Sequence, residues 1–151
     1  MENYKKFLES KKISHIESGF DCGDLHEKLF AFQKAIVKWA LKRGRSAIFA
    51  DTGLGKTFQQ VVWADEVVKH TNGNVLIFAP LCVAYQTKDL AKSELNIDVN
   101  YCRSQDQVVN GINITNYEML DHFDASKFSG IVLDEASIIK SYDGKTTDKI
   151  L

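Results

Sequence analysis

The segment Ala50-Asp51-Thr52-Gly53-Leu54-Gly55-Lys56-Thr57 has the residue types and spacing of a loop that holds phosphate. Gly53 and Gly55 permit the tight backbone that turns N–H groups toward anionic oxygens. Lys56 supplies a point charge for the β- and γ-phosphates, and the Thr57 hydroxyl is a ligand for magnesium. The pattern usually opens with glycine; Ala50 stands there, and its methyl is small enough to leave the loop intact. A second chemical signal lies at Gly130-Ile131-Val132-Leu133-Asp134-Glu135-Ala136-Ser137, an apolar run that ends in paired carboxylates. A carboxylate at the carboxyl end of a strand can hold magnesium through its water shell, and its neighbour can orient or deprotonate an attacking water. Asp134 is assigned the metal-facing role and Glu135 the water. An acidic pair by itself is usually a solvated turn. Together with a phosphate loop it is the other half of a nucleotide site.

These groups need elements that place them side by side. Ser46 to Ala50 reads as a short buried strand, and Thr57 to His70 as a helix with Phe58, Val61, Val62 and Val68 on one face. The loop therefore opens a helix, whose positive dipole end favours anions. Upstream, Met1 to Lys12 suits a charged helix with Tyr4, Phe7 and Leu8 inward, followed by a looser lead-in with Gly19 and Gly23. His26 to Arg43 carries Phe32, Ile36, Trp39 and Ala40 at helical spacing and stops at Gly44, a natural cap. Downstream, Val75 to Ala79 reads as a strand closed by Pro80, Val83 to Leu95 as a helix and Val99 to Cys102 as a strand. Gln105 to Val109 suits a short helix and Gly111 to Thr115 a further strand. Alternation of this kind predicts an α/β fold, a mostly parallel sheet with helices on both faces, with ligands gathered at the carboxyl ends of the strands.

The loop Asp51–Thr57 and the run Asp134-Glu135-Ala136-Ser137, continued by Ile138-Ile139-Lys140-Ser141, resemble motifs I and II of superfamily-two helicases. The resemblance is nearest to Swi/Snf-type translocases and phage helicases of the DEAD/DEAH kind. Leu29-Phe30-Ala31-Phe32-Gln33 resembles the segment in which an aromatic residue and a glutamine read adenine. Ala79-Pro80-Leu81-Cys82-Val83-Ala84-Tyr85-Gln86-Thr87 resembles motif Ia, and Ile114-Thr115-Asn116-Tyr117-Glu118-Met119-Leu120 resembles motif Ib, which both touch the nucleic-acid backbone in that family. The resemblance implies a RecA-like domain over 25–151, incomplete at its carboxyl end, after a lead-in over 1–24. It implies ATP and Mg2+ as cofactors, with Gln33, Asp51, Thr52, Gly53, Leu54, Gly55, Lys56 and Thr57 around the nucleotide. Thr57 and Asp134 would hold the metal. Pro80, Gln86, Thr87, Thr115, Asn116 and Tyr117 would face DNA, in preference to RNA. Two departures stand out: Ala31 replaces the proline usual before the adenine-segment aromatic, and Ser137 replaces the more frequent motif II histidine. That family hydrolyses ATP between two RecA-like domains, with an arginine from the second. An arginine finger is worth about three to five orders of magnitude in rate. The chain is therefore expected to be the amino-terminal, ATP-binding part of such an engine and, without the second domain, a feeble hydrolase.

Composition narrows the partners. With 19 basic and 20 acidic residues among 151, the chain has no global basic footprint for nucleic acid. Translocases grip the backbone through hydroxyls, main-chain amides and a few local cations, so a neutral domain is compatible with the reading. The three cysteines, Cys22, Cys82 and Cys102, have no metal spacing and leave one over, which fits reduced thiols in the cytoplasm of a bacterial or phage-infected cell. No apolar run is long enough to cross a membrane. His15, His26, His70 and His122 are scattered without ligand spacing. Ordinary readings stand beside the chemical ones: Gln33 as a helix-surface glutamine, Phe30 or Phe32 as core, Thr115-Asn116 as a helix cap, and Lys140 and Lys145 as solvated surface. Two other functions remain open. One is a regulatory module that binds nucleotide or DNA and never hydrolyses; the other is an unrelated P-loop enzyme such as a small kinase.

Overall fold

The computed structural model describes residues 2–10, 17–51 and 53–137. Four helices come in chain order: α1 (Glu2–Ser10), α2 (Ala31–Arg43), α3 (Lys56–Thr71) and α4 (Leu81–Leu90), the last continued by a π turn over Ala91–Leu95. The strands are β1 (Val75–Ala79), β2 (Val99–Tyr101), β3 (Ile112–Asn116) and β4 (Gly130–Leu133). They form one sheet in the order β2-β3-β1-β4, and every pair is parallel. β1 is central and all five of its residues are buried, which is why its sequence is an unbroken apolar run instead of an alternation. Short 3₁₀ turns at Gln105–Gln107, Tyr117–His122 and Ala125–Lys127 fill the remaining connections.

The two sheet faces are covered differently. Val75, Ile77 and Ala79 of β1, with Ile112 and Ile114 of β3, pack against Val37 and Leu41 of α2, Val61, Val62, Ala64 and Val67 of α3, and Ala84 of α4. Helices α2, α3 and α4 thus share one face. On the other face Leu76 and Phe78 meet Cys102 and Tyr117, with Leu120, Phe123, Phe128 and Leu133 around them. Expected cover on both faces is present, as α-helices on one and 3₁₀ turns on the other. The connections from β1 to β2 and from β3 to β4 run in opposite directions over opposite faces, the arrangement that a uniform crossover hand requires.

Several local expectations shift. α2 begins at Ala31 instead of His26, with Phe30 as its N-cap; the Phe30 N–H donates to Gln33 Oε1 at 2.9 Å. Its buried stripe is Gln33, Val37, Ala40 and Leu41, rotated from the expected one, so that Phe32 and Trp39 stay exposed. The stripe is decided by the α3 surface it meets, which periodicity in α2 alone does not encode. Gly44 caps the helix as expected, at φ 79. The N–H groups of Ser18, Gly19 and Phe20 then donate to the carbonyls of Arg43, Lys42 and Leu41, satisfying acceptors that a helix end leaves orphaned. A side chain at Gly19 would drive its Cβ to 1.7 Å from the Leu41 carbonyl oxygen. Phe20 stacks on His70 of α3 at 3.8 Å, so the lead-in is pinned to both helices. In α1, Tyr4 and Phe7 are exposed instead of turned inward.

The largest correction concerns Ser46 to Ala50. This apolar run forms no strand, and Ile48 and Phe49 are exposed, Phe49 completely. A five-residue run becomes a strand only through a neighbour that completes its ladder. β4 pairs with β1 on one side, and no described residue pairs with its other edge.

Candidate nucleotide site

The glycine loop enters α3 as its sequence dictates. Gly53 and Gly55 have φ of 79° and 70°, values that a side chain disfavours. Gly55 is the left-handed N-cap of α3, so Lys56 and Thr57 are the first two helical residues, where N–H groups lack intrahelical acceptors. Both are half-buried. The Leu54 carbonyl accepts two amide donors, Gln33 Nε2 at 3.0 Å and Gln59 Nε2 at 2.9 Å, and both glutamines are buried. Polar groups this enclosed need partners, and the Leu54 carbonyl serves both amides. Thr52 lies outside the described residues. Asp51 and Leu54 are exposed at the mouth of the loop.

Gln33 is where its expected role changes. Its Oε1 is taken by the Phe30 N–H and one N–H of its amide by the Leu54 carbonyl, leaving a single donor for any base. Its observed work is bracing the phosphate loop against α2. Phe30 and Phe32 stack on each other at 6.2 Å and remain exposed, so neither is core.

Asp134 follows β4 at its carboxyl end and is held at its N–H, its carbonyl and one carboxylate oxygen. Its N–H donates to the Phe78 carbonyl at 2.8 Å. Its carbonyl accepts the Tyr117 hydroxyl at 2.5 Å, and its Oδ1 accepts Gln60 Nε2 of α3 at 2.8 Å. Glu135 is exposed and sits at φ 54, in the left-handed region that non-glycine residues rarely enter. Such an outlier is a reasonable mark of a functional position. Burial holds the Tyr117 phenol far above the usual tyrosine range, and the charges of Asp134 and Glu135 push it further the same way. Gln60 went unnoticed in the sequence. The signal for it was its spacing from Lys56 and Thr57, which places the three on one face of α3.

Magnesium fits this donor set. Among the described residues no group of three or more His, Cys, Asp or Glu side chains could hold a metal by themselves. Magnesium bound with a nucleotide needs no such cage: one carboxylate, a hydroxyl, water and phosphate oxygens suffice. Thr57 and Asp134 supply the first two, on elements joined through Gln60.

The residues assigned to nucleic acid divide sharply. They all lie at or beyond the carboxyl ends of β1 and β3, as expected of a ligand-binding rim. Pro80 is half-buried and Gln86 exposed, but Thr87, Thr115, Asn116 and Tyr117 are all buried. Asn116 accepts from the Tyr101 hydroxyl at 2.8 Å and donates to Glu118, while Tyr117 is turned to Asp134. These four side chains are thus largely enclosed by the domain itself. A cleft of 450 Å³ opens between the first turn of α3 and α4, lined by Thr57, Val83, Gln86, Thr87 and Leu90 among others. No described helix is long and apolar enough to cross a membrane.

No family model matches the chain, and no curated protein matches it. Solved structures do. The UvsW helicase from bacteriophage T4 superposes with a TM-score of 0.68 at 19% identity, over 97% of this chain and 54% of that one. The SWI2/SNF2 ATPase core of Sulfolobus solfataricus, solved in complex with double-stranded DNA, superposes with a TM-score of 0.64 at 21% identity. That match covers 87% of this chain and 31% of the other. The chain therefore has the RecA-like α/β fold of helicase ATPase domains and spans about half of one neighbour and a third of the other.

Proposed function

We propose that this chain binds Mg-ATP as the first ATPase domain of a nucleic-acid-dependent motor, a DNA helicase or double-stranded-DNA translocase, and that a second RecA-like domain completes its catalytic site. The observation that carries the reading is the 2.8 Å bond from Gln60 to Asp134, which brings the helix of Lys56 and Thr57 against the carboxylate at the end of β4. Gln60 and Asp134 lie 74 residues apart in sequence, and their meeting sets the phosphate-loop helix beside the carboxylate that the reading assigns to the metal.

The chain's own groups divide the work. Loop N–H groups and Lys56 bind the phosphates. Thr57 and Asp134 would hold magnesium, which when bound neutralises charge on the β- and γ-phosphate oxygens. Glu135 would orient the attacking water and accept its proton. Gln33 and Gln59 hold the loop in shape through the Leu54 carbonyl. DNA as the track is supported by the likeness in fold to the Sulfolobus core, which was solved on double-stranded DNA, with Pro80 and Gln86 as the accessible contacts.

Calorimetric titration of Mg-ATP into the chain and into Lys56→Ala tests the reading. Binding by the parent that falls by about one to two orders of magnitude in the variant is expected, since a charge-assisted contact to phosphate is worth roughly 1.5–3 kcal/mol. Equal affinity in the two proteins would remove Lys56 from the phosphates and with it the proposed site.

A further inference from the structure

Asp134 is fixed from three directions, and only one of them acts on its carboxylate. The bonds to the Phe78 carbonyl and the Tyr117 hydroxyl secure the backbone. Among the described residues, Gln60 alone touches Oδ1, at 2.8 Å. A hydrogen bond to one carboxylate oxygen sets the rotation of the group and leaves the other oxygen aimed by default, free to accept from the water shell of a cation. The chemistry of the donor matters here. A lysine or arginine in this place would neutralise the carboxylate and compete with a cation for it. A neutral amide orients the charge without cancelling it.

Gln60 is also not required by the core. The buried positions of α3 are Gln59, Val61, Val62, Ala64 and Val67, and Gln60 is half-buried at their margin. It stands one turn beyond Lys56 and Thr57 on the same helical face. The helix that presents the phosphate-binding lysine therefore also presents the group that aims the carboxylate. Resting on the nucleotide-binding reading above, we propose that Gln60 is a positioning residue that turns Asp134 toward a nucleotide-bound magnesium ion and so sets the magnesium affinity of the site.

The test is ATP binding followed across a series of magnesium chloride concentrations, and again in EDTA, for the parent, Gln60→Met and Gln60→Ala. Methionine keeps the length of the side chain and cannot donate. Loss of a partner that orients a metal ligand typically costs about 10–100-fold in metal affinity. The half-saturating magnesium concentration should therefore rise at least tenfold in both variants, on the order of that range, while affinity for ATP in EDTA stays within about twofold. Coincident magnesium curves for parent and Gln60→Met overturn the proposal. So does an equal loss with and without magnesium, or failure of both variants to fold, because each makes Gln60 a brace of the fold only. If the parent binds no ATP, or Lys56→Ala binds as well as the parent, the nucleotide reading itself has failed, an outcome distinct from all of these.

Discussion

Replacing Thr115 with valine is expected to stabilise the protein. Thr115 lies in β3 opposite Phe78, is 0% exposed, and its Oγ1 has no hydrogen-bond partner among the described residues. A buried hydroxyl without a partner costs about 1–3 kcal/mol. Valine keeps the β-branched shape that a strand favours, and the methyl that replaces the hydroxyl adds roughly 0.8 kcal/mol of burial. Neighbouring side chains must accommodate that methyl, which takes back part of the gain. The net is a stabilisation of about 2 kcal/mol. In a chain of 151 residues this raises Tm by about 4–8 °C. Urea denaturation followed by circular dichroism should move its midpoint up by roughly 1 M at unchanged slope. Thr115→Ala is the contrast, because it removes the same hydroxyl but opens a methyl-sized void that offsets the benefit. A valine variant no more stable than the parent would refute the reasoning, since it would mean that the hydroxyl is satisfied in solution. DNA affinity measured on the same variant separates two roles: unchanged affinity removes the hydroxyl from any phosphate contact.

Gly55→Ala should weaken ATP binding about tenfold or more, because its φ of 70° and a Cβ placed 2.3 Å from Gln33 Nε2 both oppose the side chain and the strain alone is worth about 1–2 kcal/mol. Gly53→Ala, with φ 79 and nothing within 4 Å of its Cβ, should lose less; calorimetry on the pair isolates the steric part. For Tyr117, folded and unfolded chains both keep the phenolic proton below the ordinary tyrosine value of 10.0, so pH has no effect through it there. Above that value the unfolded chain ionises first, and stability should fall by about 1.4 kcal/mol per pH unit. Cys102, raised from 9.0 to about 11 by burial, adds the same sign of loss between those values. Tyr117→Phe should therefore be about 1 kcal/mol less stable near neutrality and show a shallower decline above pH 10, both read from urea midpoints. A thiol reagent at neutral pH should label exposed Cys82 rapidly and leave buried Cys102 unmodified until the chain unfolds, as peptide mapping after timed quenching would show.

Much of the site was legible because it is local. Gly53 and Gly55 announce positive φ, and the helix that follows them needs no distant partner to begin at Lys56. Gly130 to Leu133, an apolar run that stops at a carboxylate, announces a parallel strand with a polar end, although Ile131 stays exposed. Other positions misled for reasons that have nothing to do with local pattern. Thr87, Thr115, Asn116 and Tyr117 have the chemistry of phosphate contacts, and nothing in their neighbourhood in sequence announces that their side chains are buried. Gln33 has the chemistry of a base reader, and nothing in its local sequence announces that Phe30 and Leu54 each take one bond of its amide.

By itself, the amino-acid sequence determined which backbone conformations were affordable and where several elements run: the glycine loop, the helix starting at Lys56, and the strands ending at Ala79, Asn116 and Leu133. These follow from sterics and hydrophobicity within a few residues. Only the tertiary structure decided who faces whom. It turned Val37 and Leu41 of α2 inward instead of Phe32 and Trp39, left Ser46 to Ala50 without a strand partner, and set Gln60 against Asp134. Each of those outcomes depends on surfaces contributed by residues far away in the chain, whose approach is governed by the packing of the whole domain.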